Sequence, residues 1–179
     1  RVLYPNDSGP SGKALRLKQQ YFFSSASLQD LLNHFVSDFG TNFAKFPEYH
    51  AIQLNDTHPV VAIPEMMRIL MDTYYLGWEE AWAVVTKTFA YTNHTILSEA
   101  LEKWPIPIFQ GLLPRVYQIV DEINRRFNIE LREAYPSDYE KQNRMSIISN
   151  GMIHMAHLAI HACFSVNGVA ALHTELLKT

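Results

Sequence analysis

The sequence predicts an α/β fold, in which helices flank a parallel sheet. The first observation is the layout of residues 51–100: an apolar run, a polar motif, two helical segments, a second apolar run and a second polar motif. The second is composition, because 47% hydrophobic and 18% charged residues over 179 positions are typical of one globular domain or a large part of one. The third is the helical periodicity of most other segments.

A long helix is predicted from about residue 13 to about residue 37, after a loop rich in proline and glycine. Its apolar face is made by residues three or four apart: Leu17, Tyr21, Ser24, Leu28, Leu31 and Phe35. Its polar positions, Arg16 among them, are predicted to face solvent or another domain. Residues 39–47 then form a short loop held by aromatic side chains.

The stretch of residues 51–100 follows in the order strand, motif, helix, helix, strand, motif. Residues 51–54 form the first strand and lead into Asn-Asp-Thr-His-Pro at residues 55–59. One helix runs from Pro64, where a proline suits the first turn, to Asp72, and a second from Gly77 to Lys87. Residues 88–90 form the second strand and lead into Tyr-Thr-Asn-His-Thr at residues 91–95.

The chain beyond His94 is predicted to be mainly helical. Prolines at 105 and 107 interrupt it, and Pro114 begins a helix that runs to about Tyr135. Turns are predicted at residues 136–138 and 150–151. A helix over residues 152–164 precedes Val-Asn-Gly-Val at 166–169, and a last helix covers residues 170–177.

Composition and missing motifs exclude several classes of function. A net charge of −3 gives no reason to expect nucleic acid or an anionic membrane as partner, and no apolar run approaches the roughly 18 residues of a membrane span. A single cysteine, Cys163, rules out an internal disulfide and fits a reducing, cytoplasmic compartment. Glycine-rich dinucleotide and phosphate loops and a nucleophile elbow are absent from the sequence.

Asp56, His58 and His94 are the main functional candidates. Both polar motifs follow strands, and ligands bind open α/β sheets at the carboxyl ends of strands. If the two strands are neighbours, these three side chains converge on one cleft. Asparagine, aspartate and neutral histidine offer both donors and acceptors, which a polyol ligand such as a sugar needs.

Other interpretations of the same residues remain open. Asn55, Asp56 and Asn93 are residue types that often only cap helices or close turns. Asp56 and His58 have the spacing of half a metallohydrolase site. His154, His157 and His161 share one face of the predicted helix, where histidines can bind zinc, but no carboxylate lies beside them. A partly buried or interface helix is therefore favoured there, and no metal site is predicted.

Several motifs together resemble the α-1,4-glucan phosphorylases. The resemblance spans essentially the whole chain in the family's order: LRLKQQYF at residues 15–22, QLNDTHP at 53–59, IPEMMR at 63–68, AYTNHT at 90–95, EALEKWP at 99–105 and VNGV at 166–169. It covers part of the family's N-terminal domain, so residues 1–179 are expected to be a partial domain, truncated at both ends. The alternative is a non-catalytic sugar-binding or interaction module that uses the same cleft.

The resemblance implies a two-domain, GT-B type glycosyltransferase, with the active site between two Rossmann-like domains. Such enzymes use inorganic phosphate to cleave the terminal glucose of glycogen, starch or maltodextrin, and they release glucose 1-phosphate. Their cofactor, pyridoxal 5'-phosphate, is held by a lysine that would lie outside this chain, so the fragment alone is expected to be inactive. The parent protein is expected to be a cytoplasmic homodimer.

The resemblance also assigns residues. His94 matches the family's active-site histidine, which contacts the glucosyl unit through its ring and its backbone carbonyl. Asp56, His58, Ala100 and Arg1 match residues lining the pocket beside that sugar. Regulated animal members carry an arginine pair for the phosphate of AMP where this chain has Asn33 and His34, so activation by AMP is not expected. A histidine usual after Arg115 and another usual at position 164 are missing too.

Overall fold

The structure, a computed structural model, describes residues 9–95 and 101–169. Eight α-helices and six strands lie in those residues. The helices are α1 (Pro10–Phe39), α2 (Phe46–Tyr49), α3 (Ala62–Arg68), α4 (Trp78–Thr88), α5 (Ile106–Leu112), α6 (Pro114–Ala134), α7 (Tyr139–Met145) and α8 (Met155–Ala162). The strands are β1 (Ile52–Asn55), β2 (Phe89–Asn93), β3 (Lys103–Pro105), β4 (Ile148–Ser149), β5 (Met152–His154) and β6 (Ser165–Gly168).

A parallel sheet of three strands, in the order β1-β2-β6, organises the molecule. Ile52 of β1 lies opposite Phe89 of β2, and Ala90 of β2 lies opposite Ser165 of β6. The predicted neighbourhood of the first two strands is therefore confirmed, as is an α/β structure with a parallel sheet. A second, antiparallel sheet has the order β3-β5-β4.

The core lies between the parallel sheet and the helices around it. β2 is the central strand, and its Phe89 and Tyr91 are fully buried, as expected for a strand covered on both faces. Helix α3 is buried over residues 62–67. The apolar face of α1 is close to the predicted one, with Leu17, Ser25, Leu28, Leu32 and Phe35 buried. Phe35 packs against Phe43, on the 3₁₀ turn Phe43–Lys45, and against Phe46, so aromatic side chains hold this loop as predicted.

A buried polar network joins α1 to α3. The carboxylate of Glu65 is fully buried and accepts hydrogen bonds from Ser25 Oγ at 2.7 Å and from Arg68 Nε and Nη2, both at 2.8 Å. Burial, followed by the charge of Glu65, raises the pKa of the nearby Tyr21. Because each acceptor oxygen of Glu65 has a donor, the network satisfies a charge that would otherwise oppose packing of the two helices.

Helix α3 continues into a π-helical turn, Ile69–Thr73. The amide of Tyr74 donates to the carbonyl of Ile69, five residues back. Within this turn Asp72 accepts two hydrogen bonds from Arg115 of α6, at 2.7 and 2.8 Å. This ion pair lowers the pKa of Asp72 and links the end of the turn to the first turn of α6.

Several sequence predictions were wrong in detail. Strand β2 extends to Asn93, so the second polar motif lies within the strand and only its last two residues follow it. The region after His94 is not wholly helical, because residues 103–105 form β3. The helix predicted over residues 152–164 starts later, since residues 152–154 form β5 and α8 covers Met155–Ala162. The predicted helix at residues 170–177 lies outside the described residues. Across the described ranges, no helix combines the length and apolar character needed to cross a membrane.

Candidate functional site

The carboxyl edge of the parallel sheet carries the predicted residues. Asn55 of β1 lies opposite Thr92 of β2, and the amide of Asp56 donates to the carbonyl of Thr92 at 2.8 Å. Pairing of the two strands thus continues one residue past the end of β1. The chain leaves the sheet at Asp56 on one strand and at His94 on the next, so the two motifs begin their loops side by side.

Asp56 shapes the loop that follows β1. Its φ is 66°, in the left-handed region that aspartate tolerates better than most residues. One carboxylate oxygen accepts a hydrogen bond from the amide of Thr57 at 2.7 Å, and the other lies 3.5 Å from the hydroxyl of Thr95, beyond β2. Asp56 therefore ties its own turn and also contacts the loop of the neighbouring strand.

Arg16, near the start of α1, connects His58 to Glu102. Its Nη2 lies 3.3 Å from Nε2 of His58, and its Nε lies 3.6 Å from Oε2 of Glu102. Because a guanidinium only donates, Nε2 of His58 is the acceptor in this contact. Gln20 of α1 also donates to Oε2 of Glu102, at 3.1 Å. Arg16 is half-buried and lines a cavity beside the sheet edge, so its side of α1 is only partly solvated.

These side chains line a cavity of about 240 Å³, which we call the edge pocket. Its walls come from four parts of the chain: Lys13, Arg16, Asp56, Thr57, His58, Thr95, Glu102, Lys103 and Trp104. The lining contains cationic donors, two carboxylates and two hydroxyls, so it can both donate to and accept from a ligand. Buried Glu102 Oε1, Gln20 Oε1 and Trp104 Nε1 have no partner within the described residues. Buried polar atoms normally have one, which makes these atoms candidates for ligand contacts.

The structure brings some predicted site residues together and leaves others apart. Asp56 and His58 both line the edge pocket. His94 is exposed at the end of β2 and does not belong to that lining. The buried side chain of Asn93 accepts a hydrogen bond from the amide of Thr95 at 2.7 Å and so fixes the turn around His94. Arg1 and Ala100 lie outside the described residues.

Sequence reasoning missed Arg16 and Glu102, which line this pocket, and Gln20, which donates to Glu102. Each lies in a segment that carries the family resemblance, but nothing in the local pattern shows that residues 16 and 102 meet. Their contact depends on how α1 packs against α3 and α5, which is a property of the tertiary fold.

The three histidines proposed as a shared helical face are separated. His154 ends β5, and its ring stacks on that of His157 with centroids 4.7 Å apart. His161 packs instead against Trp82 and Phe127, where burial lowers its pKa from 6.5 to about 4. Among the residues that the structure describes, no group of three or more potential ligands is placed to hold a metal ion.

Cys163 follows α8 and is not disulfide-bonded in the described structure. Burial raises the pKa of its thiol to about 12, so the thiol stays protonated at neutral pH. Since the thiolate is the nucleophile, Cys163 is a structural residue.

Comparison with known proteins places these features in context. The family model described as carbohydrate phosphorylase matches residues 1–179. The muscle form of glycogen phosphorylase from Ovis aries is 54% identical over 188 residues, and that from Homo sapiens is 52% identical over the same length. Glycogen phosphorylase from Bacillus subtilis (strain 168) is 49% identical over 176 residues. These alignments cover 98–99% of this chain and 22% of each relative, so the chain spans about a fifth of their length.

Proposed function

The chain belongs to the carbohydrate phosphorylase family, and we propose that it is part of the N-terminal domain of an α-1,4-glucan phosphorylase. The parent protein would be a GT-B type glycosyltransferase of the cytoplasm. It would transfer the terminal glucose of glycogen, starch or maltodextrin to inorganic phosphate and release glucose 1-phosphate. Identities of 49–54% to proteins named glycogen phosphorylase over nearly the whole chain support this activity.

The edge pocket is the observation that carries the proposal. A glucosyl unit presents hydroxyls that each donate one hydrogen bond and accept others. Glu102 Oε1 and Asp56 offer acceptors, whereas Arg16 and Lys13 offer donors, all within about 240 Å³. We assign the pocket wall beside the sugar to Asp56 and His58, together with Arg16 and Glu102. The resemblance adds Ala100 and Arg1 to this wall.

His94 has a separate role in the proposal. Transfer of a glucosyl unit passes through a state with positive charge at the anomeric carbon. As the residue after β2, His94 can aim its backbone carbonyl at that charge, while its ring holds a sugar hydroxyl in position. A neutral imidazole suits this role, because a cation would oppose the developing charge.

The cofactor of the proposed reaction, pyridoxal 5'-phosphate, is assigned to a lysine elsewhere in the parent protein. Every lysine among the described residues is exposed or only half-buried, so none offers the enclosed site that a cofactor-bound lysine requires. When bound, the phosphate group of this cofactor would serve as acid–base partner of the substrate phosphate. The residues of this chain would bind and orient the glucan. The parent is further proposed to be a homodimer.

The test uses the full-length protein with its cofactor, and it measures glucose 1-phosphate formed from maltodextrin and inorganic phosphate. Replacing His94 by alanine removes the ring contact but keeps the carbonyl, and kcat/KM should fall about 100-fold, or about 2.7 kcal/mol. His58→Ala should lower kcat/KM clearly less than His94→Ala does, because the ring of His58 only lines the pocket wall. The matched control is His34→Ala, an exposed histidine on α1 whose loss should leave kcat/KM unchanged.

Two results would contradict the proposal. If a folded His94→Ala protein had a kcat/KM within about twofold of that of the unaltered protein, the role proposed for His94 would be wrong. A full-length protein that binds maltodextrin without releasing glucose 1-phosphate would identify a non-catalytic sugar-binding module instead.

A further inference from the structure

A second cavity, of about 400 Å³, lies away from the edge pocket. Helix α7, the β4–β5 hairpin, the first turn of α8 and β3 surround it. Its lining consists of Leu101, Lys103, Asn143, Arg144, Ser149, Asn150, His154, Ala156 and His157. We call it the hairpin cavity. Among the described residues, Lys103 is the one side chain that lines both cavities.

The lining of the hairpin cavity is basic. Lys103 and Arg144 carry permanent positive charge, His154 and His157 can acquire it, and the described lining residues include no carboxylate. Within residues 9–95 and 101–169, neither Lys103 nor Arg144 forms an ion pair. The positive charges of Lys103 and Arg144 repel each other, and an anion between them would offset that repulsion.

The two histidines are held in place around this cavity. His157 Nδ1 lies 2.9 Å from the carbonyl of Ser146, and since a carbonyl only accepts, Nδ1 carries a proton. Nε2 of His157 is left as the atom that donates to a ligand when the ring is protonated. His154 Nε2 lies 2.9 Å from Ser149 Oγ, and the two rings stack with 12° between their planes. Burial, then the charges of His157 and Lys103, lower the pKa of His154.

We propose that the hairpin cavity binds a phosphate-type oxyanion, either inorganic phosphate or the phosphate group of a phosphomonoester, through Arg144, Lys103 and His157. The guanidinium of Arg144 supplies paired donors that match phosphate oxygens, and Lys103 supplies a point charge. Asn143, Asn150 and Ser149 add neutral donors at the rim. The same positive charges disfavour a metal cation beside the two histidines.

The test labels histidines of the full-length protein with diethyl pyrocarbonate and measures each modified peptide by mass spectrometry. Inorganic phosphate should protect His154 and His157, while the exposed His34 of α1 serves as internal control. Arg144→Gln should raise the phosphate concentration for half-protection at least about tenfold, because it removes a charge-assisted partner. Arg132→Gln, which removes an exposed arginine of α6 outside the cavity, should not.

A second arm replaces phosphate by phenyl phosphate and so distinguishes the two sources. Protection at lower concentration by phenyl phosphate assigns the site to phosphomonoesters, and the reverse order assigns it to free phosphate. Equal half-protection concentrations in the unaltered and Arg144→Gln proteins, or no protection by either anion, would overturn the proposal. The readout is local labelling and not turnover, so its outcome is independent of whether the parent protein is a phosphorylase.

Discussion

Replacing Arg68 by methionine should loosen the packing of α1 on α3. Glu65 is fully buried, and two of its three hydrogen bonds come from Arg68. Methionine keeps most of the volume but removes both bonds and the compensating charge. Glu65 would then be a buried carboxylate without a positively charged partner, although the hydroxyl of Ser25 would still donate to it.

The expected cost follows from these contacts. Breaking a buried ion pair by removing one partner costs about 3–5 kcal/mol, because the other charge stays desolvated. Replacing both partners, as in Glu65→Leu with Arg68→Met, removes the charge itself. What remains is the buried hydroxyl of Ser25, which loses its acceptor at a cost of about 1–3 kcal/mol of stability. The double variant should therefore be more stable than the single one.

The assay is native-state hydrogen exchange of the full-length protein, read on peptides that cover α3. It reports the free energy of local opening, which unfolding elsewhere in a large protein does not obscure. Arg125→Met is the matched control, since this exposed arginine pairs with Glu122 at the surface and its loss should leave the exchange of α3 unchanged. A double variant that exchanges as fast as Arg68→Met, or faster, would refute the reasoning.

Three further predictions concern the edge pocket, a buried histidine and regulation. Glu102→Gln should lower the proposed phosphorolysis kcat/KM of the full-length protein at least about tenfold. Glu130→Gln, which changes an exposed residue of α6, is the control. The pKa of His161 is about 4 in the folded protein and 6.5 when the ring is free. Between pH 4 and 6.5, unfolding is therefore coupled to uptake of a proton. Stability should be full above about pH 6.5 and fall towards pH 4 in denaturant titrations, and His161→Phe should reduce that loss. AMP should change the activity of the full-length protein less than about twofold, because Asn33 and His34 replace two charged partners; activation at micromolar AMP would show that other residues bind it.

The long, periodic helices were predictable from sequence because their residues repeat the pattern that burial requires. Helix α6 runs from Pro114 to Ala134 as the proline and the apolar spacing indicated. The strands β3 and β5 have three residues each, too few to display an alternation. Strand β5, Met152–His154, also directly precedes α8. The helical spacing of apolar residues in α8 therefore extends back into β5 in the sequence. Strand length, and not propensity, limited the prediction there.

The candidate site was predictable only where it is local. Asp56 and His58 follow a strand directly, and the rule that ligands bind at strand ends identified them. Arg16 and Glu102 are 86 positions apart in sequence and meet within 3.6 Å only through the packing of α1. Asn93 was interpreted as a loop residue because its side chain is polar, yet it ends a buried strand and fixes the following turn.

The π-helical turn at Ile69–Thr73 has a consequence for insertions and deletions in this region. A π turn amounts to one additional residue in an α-helix, and each residue advances the helix by about 100°. Deleting one residue within the turn would therefore restore a regular α-helical turn and leave the side chains on either side of it in phase. An insertion within α3 would instead rotate Asp72 away from Arg115 although both residues were still present. The helix thus tolerates a one-residue change of length at this turn better than elsewhere, a difference that a substitution scan would not detect.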